Sequence, residues 1–128
     1  MPPSPPCLLS IVELGGYADL SNLYRRFGYE VVAVASVRKA LGAMKQKTPK
    51  AIVAEFNFQS DFRDRTSSLE SLLAVVQRLP ETKVIIFYDQ EHAHQLAKLT
   101  AVFPVYATLT HPIDLQRLEL LLRDIVSD

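Results

Sequence analysis

The chain has 128 residues, 48% of them apolar, and its 14 basic and 14 acidic side chains cancel to a formal net charge of zero. That length holds one domain with a proper core rather than two, and the balanced charge advertises neither nucleic acid nor an anionic membrane as a partner. A single cysteine, Cys7, excludes an internal disulfide and a cysteine-rich zinc site, and no apolar run approaches the ~20 residues of a membrane span.

Residues 1–6, Met-Pro-Pro-Ser-Pro-Pro, lack the basic start and apolar stretch of a secretory signal. They predict an extended lead-in, followed by a domain over residues 7–128 and a cytoplasmic location. Residues 7–14 are apolar and β-branched in the middle, which predicts a buried strand ended by Gly15-Gly16. Leu20, Leu23, Tyr24 and Phe27 then recur at helical spacing. Gly28 follows, where a helix commonly ends in a left-handed residue. Residues 31–35 predict a second strand. Ser36 is placed to cap a helix with the stripe Val37, Ala40, Leu41 and Met44.

Residues 49–59 form the stretch around which the chain is organised. A proline ends one element, a short apolar run follows, Glu55 sits near its end, and a polar segment comes next. This is the pattern of a central strand that delivers a charged side chain to the carboxyl edge of a parallel sheet, where ligands and chemistry sit. Residues 57–66 are longer than a usual strand-to-helix connection and contain Arg63 and Arg65. Ser67 and Glu70 have capping-box spacing. Leu69, Leu72, Leu73, Val76 and Leu79 then line one helix face, stopped by Pro80. A fourth strand is expected over residues 84–88. A helix with Leu96, Leu99, Thr100 and Phe103 follows, then a short strand over 105–109. After the tight junction His111-Pro112, Leu115, Leu118, Leu121, Leu122 and Ile125 mark a last amphipathic helix.

Five apolar strands alternating with five helices imply a parallel sheet covered on both faces. With right-handed crossovers, the economical architecture is α/β: a single flavodoxin-like (βα)5 doubly wound five-stranded parallel sheet.

The order and spacing of five segments resemble the receiver domain of bacterial two-component response regulators. These are residues 9–13, Gly28-Tyr29-Glu30-Val31-Val32, residues 49–57, residues 82–87, and Thr110-His111-Pro112-Ile113. The resemblance implies an acid pair after the first strand, a phospho-accepting aspartate on the third, a Ser or Thr on the fourth and a lysine on the fifth. None of these is intact. Glu13 stands at the acid pair with Leu14 and Gly15 beside it, Glu55 at the acceptor, Tyr88 at the hydroxyl and His111 at the lysine. The resemblance also implies an aromatic switch residue on the fifth strand, where this chain has Thr108. The large and small partners Tyr88 and Thr108 are exchanged, which places the Tyr88 ring as a candidate occupant of the phosphoryl space. The His111-Pro112 bond is implied to be cis.

Glu55 admits three readings: a phospho-acceptor, a mimic of phosphorylated aspartate, or a structural carboxylate paired with Arg63, Arg65 or His111. A buried carboxylate without a partner is costly, so a partner is expected. His111 would meet an anion as the lysine does only in its protonated form. His92 and His94 stand two apart, point to different helix faces, and have no acid or cysteine at ligand spacing, so they are expected at the surface. No metal, cofactor or catalytic triad is expected. Leu120 and Val126 lie outside the stripe of the last helix, which suggests an interface.

The leading expectation is a degenerate receiver (a pseudo-receiver) without enzymatic activity. It would act as a protein–protein interaction module in bacterial signal transduction or transcriptional regulation. Its partner, or a second copy in a homodimer, would dock on the face of the fourth helix, fifth strand and fifth helix. It would contact neither nucleic acid nor membrane. The alternatives are a receiver-like switch that still binds a phosphoryl group or small anion at the carboxyl edge, and a flavodoxin-like cofactor binder.

Overall fold

Three strands of this chain are largely apolar because they form the middle of a sheet. The computed structural model describes residues 5–12, 20–56 and 68–127. In it β1 (Cys7–Ile11), β3 (Ala51–Glu55) and β4 (Lys83–Tyr88) lie side by side, with β2 (Glu30–Val34) and β5 (Ala107–Thr110) at the edges. The order is β2-β1-β3-β4-β5 and each pairing is parallel. Five helices are described: α1 (Ser21–Arg26), α2 (Val37–Gln46), α3 (Ser68–Val76), α4 (Ala93–Val102) and α5 (Leu115–Ser127). This is the doubly wound sheet that the sequence predicts.

Alternation along the strands divides the core in two. Leu9, Ile11, Ile52, Ala54, Val84 and Ile86 face α2, α3 and α4, whose buried stripes include Ala40, Leu72 and Leu96. Leu8, Ala51, Val53, Ile85 and Phe87 face α1 and α5, which contribute Leu23, Tyr24, Leu118, Leu122 and Ile125. Burying a large aliphatic side chain contributes about 1.5–3 kcal/mol, so these two layers dominate the fold's stability.

The edges depart from the sequence reading. β2 is an edge strand and only half covered, and it spans Glu30–Val34 rather than 31–35. β1 stops at Ile11 instead of continuing to residue 14. β5 begins at Ala107, after the Tyr106 N–H has already donated to the Val84 carbonyl at 3.0 Å.

Several local signals act as their chemistry dictates. The Ser36 hydroxyl accepts from the Lys39 N–H at 3.1 Å and caps α2. Gly28 ends α1 at φ +90°, a conformation that a Cβ makes costly. Asp114 caps α5, its Oδ1 accepting from the Gln116 and Arg117 N–H groups at 3.0 and 3.3 Å. Ser67, the first half of the expected capping box, lies outside the described residues. The Thr82 hydroxyl is buried and donates to the Pro49 carbonyl at 2.7 Å, which ties the start of β4 to the start of β3.

Tyr29 joins the two ends of the domain. Its ring is buried beneath α5 and its hydroxyl donates to the Leu122 carbonyl at 2.7 Å. Burial pushes its phenol well above the usual tyrosine value. A raised folded-state pKa means that the folded protein holds its proton longer than the unfolded chain does. This contribution is full below pH ~10, where a free tyrosine ionises, and fades as the pH rises through the higher folded value. Tyr29→Phe is expected to lower unfolding free energy by about 1 kcal/mol at neutral pH and to flatten the loss of stability above pH ~10; denaturant titrations across pH check both.

Candidate functional site at the carboxyl edge

The register of the central strands determines which side chains meet at the carboxyl edge. Ser10 is opposite Val53, and Val53 opposite Ile85. Two residues further on, Glu55 is opposite Phe87, which in turn pairs with Leu109. Odd-numbered positions of β3 and β4 face α1 and α5, so Glu55 emerges on that side, above Val53 and beside Phe87.

A cavity of about 500 Å³ opens there. The end of β1 contributes Ser10, Ile11 and Val12, α1 and its approach contribute Leu20, Ser21 and Tyr24, and β2 contributes Ala33. Val53, Glu55 and Phe87 line it from the sheet, and His111, Ile113 and Leu115 from the junction into α5. His111 is set in place by its backbone, whose N–H donates to the Tyr88 carbonyl at 2.9 Å. Its ring meets the Phe87 ring edge to face, with centroids 6.0 Å apart and an interplanar angle of 78°. The His111-Pro112 peptide is cis.

Two of the sequence-predicted site residues belong elsewhere. Tyr88 packs against the cluster facing α2, α3 and α4, not in the cavity. The physical reason is parity: Tyr88 follows Ile86 on the face opposite Phe87. Its ring therefore does not take the place of a ligand beside Glu55. Thr108 pairs with Ile86 and Thr110 with Tyr88, so Thr108 is separated from the cavity by the same alternation. Glu13, Arg63 and Arg65 lie outside the described residues. The structure thus brings together Glu55 and His111, with Pro112 fixing the turn between β5 and α5.

Most of the cavity wall was not singled out from the sequence. Val53, Phe87, Tyr24, Ile113 and Leu115 read as ordinary core positions. Counting back by twos from Glu55 would have found Val53, and the offset of one residue between Glu55 and Tyr88 would have pointed to Phe87.

Receiver chemistry uses a magnesium ion. Magnesium demands near-octahedral oxygen coordination and usually takes carboxylates together with several waters. The described wall offers one carboxylate, Glu55, and the end of β1 beside it presents Ile11 and Val12. Glu13, which stands at the position of the acid pair, lies outside the described residues.

A different grouping lies beyond β4. Asp89, Glu91 and His92 hold their ligand-capable atoms within 4.8 Å of one another. The His92 side chain is only 19% exposed, with Nε2 3.8 Å from the Glu91 carboxylate. This corrects the expectation that His92 is a plain surface residue with no acid in range. The short 3₁₀ turn Gln90–His92 curls the chain so that sequence neighbours converge. His94 is exposed, as expected. Glu91 is exposed too, and surface acids commonly gather in this way without an ion.

No family model matches the chain, and no curated protein matches it in sequence. Solved structures do. The receiver domain of the TMAO respiratory system response regulator TorR superposes with a TM-score of 0.74 at 16% identity, over 95% of this chain and 98% of that one. The signal receiver domain of an HD domain-containing protein from Pseudomonas fluorescens gives 0.69 at 18% identity, over 96% and 95%. A protein described among redox sensors of the streptococci that evolved from two-component response regulators gives 0.72 at 16% identity. This chain is covered to 95% there, and spans 51% of that one. The chain has the fold of response-regulator receiver domains.

Proposed function

We propose that this protein is a receiver-fold interaction module of bacterial signal transduction that works without phosphorylation and without enzymatic activity. The observation that carries the reading is the wall around Glu55. Phosphoryl transfer depends on positive charge aimed at the oxygens of the group in flight. Among the described residues lining the cavity there is no lysine or arginine, and the walls are largely aliphatic and aromatic. Removing a single preorganised electrostatic donor from an active site costs about 10²–10³ in rate. Here the lysine is replaced by His111, the hydroxyl by Tyr88 on the far face, and the aspartate by glutamate. Those losses together leave no practical transfer. The streptococcal sensors show a comparable course in another protein, where a receiver ancestry ended in a different role.

The surface supports a docking role. Val102 at the end of α4 is 67% exposed, Tyr106 before β5 is also exposed, and Leu120 on α5 is 59% exposed. Val126, further along α5, is exposed as well. Exposed large apolar side chains thus stand on α4, just before β5 and on α5, and exposed apolar residues of this kind are a feature of protein interfaces. Val102 and Tyr106 add to the residues suggested by the sequence.

Two experiments test this reading. After incubation with acetyl phosphate and Mg²⁺, the intact mass is expected to stay unchanged; a stoichiometric phosphoryl adduct that disappears in Glu55→Ala sinks the proposal. For the surface, light scattering is expected to show association in the parent and a monomer in Leu120→Glu. Because Leu120 is exposed, its replacement is expected to change stability by no more than about 0.5 kcal/mol. Equal monomeric masses remove the homodimer.

A further inference from the structure

The sheet has an open edge at β2, on the side away from α4, β5 and α5. In a strand, the N–H and C=O of one residue point to one side and those of the next residue to the other. The Glu30 N–H donates to the Pro6 carbonyl at 2.8 Å, and the Val34 carbonyl accepts from the Val12 N–H at 3.0 Å. Glu30, Val32 and Val34 therefore turn their backbone groups toward β1, while Val31 and Ala33 turn theirs outward. Among the described residues no strand lies beyond β2 to meet them. Natural edges are blunted by lysine, proline or a bulge. Residues 31–34 are Val-Val-Ala-Val, without charge or proline, and they pair with β1 in unbroken register.

The flanking helices give this edge a sign. α1 packs on β2 from one face and α2 from the other. Arg25 and Arg26 stand in the last turn of α1. α2 and the residues after it carry Arg38, Lys39, Lys45, Lys47 and Lys50. The single acid among residues 20–50 is Glu30, which is held by Lys47 at 2.8 Å. The residues outside the description leave the sign unchanged. Residues 13–19 add Glu13 and Asp19, residues 57–67 add Asp61 and Asp64 together with Arg63 and Arg65, and residues 1–4 add no acidic side chain. Basic residues in a last turn complement the helix dipole, which accounts for Arg25, Arg26 and Lys45. It does not account for Arg38 and Lys39. They are exposed in the first turn of α2, directly after β2, where the dipole disfavours positive charge and no acid shares the turn.

We propose that the β2 edge takes an extended acidic peptide segment of a protein partner as an added strand. This surface is separate from the docking face of α4, β5 and α5. The segment's backbone pairs with the outward groups of Val31 and Ala33, and its carboxylates meet the basic side chains of α1 and α2, Arg38 and Lys39 above all. An added strand draws affinity from main-chain hydrogen bonds and specificity from its alternate side chains. Complementary charge speeds the encounter and excludes wrong partners. Nucleic acid answers the charge but leaves the ladder unmade. A second copy of this chain answers the ladder but brings its own basic helices to the joint.

The test titrates the whole chain with a blocked peptide that alternates valine and glutamate. Its counterparts are the same peptide N-methylated throughout, a valine–lysine version, and a short DNA duplex. Amide mapping is expected to show saturable shifts and slowed solvent exchange at Val31 and Ala33, with a dissociation constant of about 1 mM or tighter. The N-methylated and lysine peptides are expected to bind at least about tenfold more weakly. Ala33→Pro removes an outward N–H, and proline is tolerated on edge strands. This variant is expected to stay folded and to lose the peptide by a similar factor. Lys39→Glu is expected to weaken binding at least about threefold. Absence of saturable shifts, equal binding of the N-methylated or the lysine peptide, or tighter binding of the duplex at the same amides each overturns the proposal. Self-association that Ala33→Pro abolishes also overturns it, because the edge then belongs to a second copy. The comparison of the four probes on the parent chain stands even if Ala33→Pro does not fold.

Discussion

The position of β3 is the constraint on which the rest of the structure depends. It is hydrogen-bonded on both sides, to β1 and β4, and covered by helices on both faces. Ala51, Ile52, Val53 and Ala54 are all buried. A strand in that place has no solvent face, so a charged residue within it would lose its hydration at a cost of several kcal/mol. Glu55 is tolerated because it stands at the carboxyl end of the strand, half buried. Everything at the site is then placed relative to it. Phe87 is set by the β3–β4 register, and His111 is set through β4 by the hydrogen bond from its N–H to Tyr88.

The architecture was readable because the core obeys two simple periods. Apolar runs of four to six residues gave the strands, and stripes such as Leu118, Leu122 and Ile125 gave the helices. Ser36 and Gly28 marked ends through chemistry that acts within a single turn. Strand ends were less readable. Val12 continues the apolar run past Ile11, where the ladder stops, and nothing in its side chain separates it from a strand residue. The half-covered state of β2 was hidden for another reason. Val31, Val32 and Val34 look like core residues, and only the strand order shows that they lie at an edge.

The site was readable in part. Glu55 and His111 could be placed by spacing along the chain, because each ends a strand. Tyr88 was misplaced because spacing gives depth along a strand but not the face, and a one-residue offset in parity moves a side chain to the other layer. The ring that does stand beside Glu55 belongs to Phe87, which looks like any core aromatic until the register is known. The convergence of Asp89, Glu91 and His92 depended on a 3₁₀ turn that carries no strong sequence signal.

The cavity at the carboxyl edge has a topological origin. The crevice is a product of winding: the connections from the neighbouring strands β1 and β3 lead to helices on opposite faces of the sheet, and a gap opens between them. The residues decide only what the gap can hold. With acids and a lysine it would hold a metal and a phosphoryl group. Among the described residues, Ile11, Val53 and Phe87 line it together with one carboxylate, Glu55, and one imidazole, His111. Side chains at strand ends can therefore vary in what they offer a ligand, while the two core layers that hold the fold together depend on other positions of the same strands.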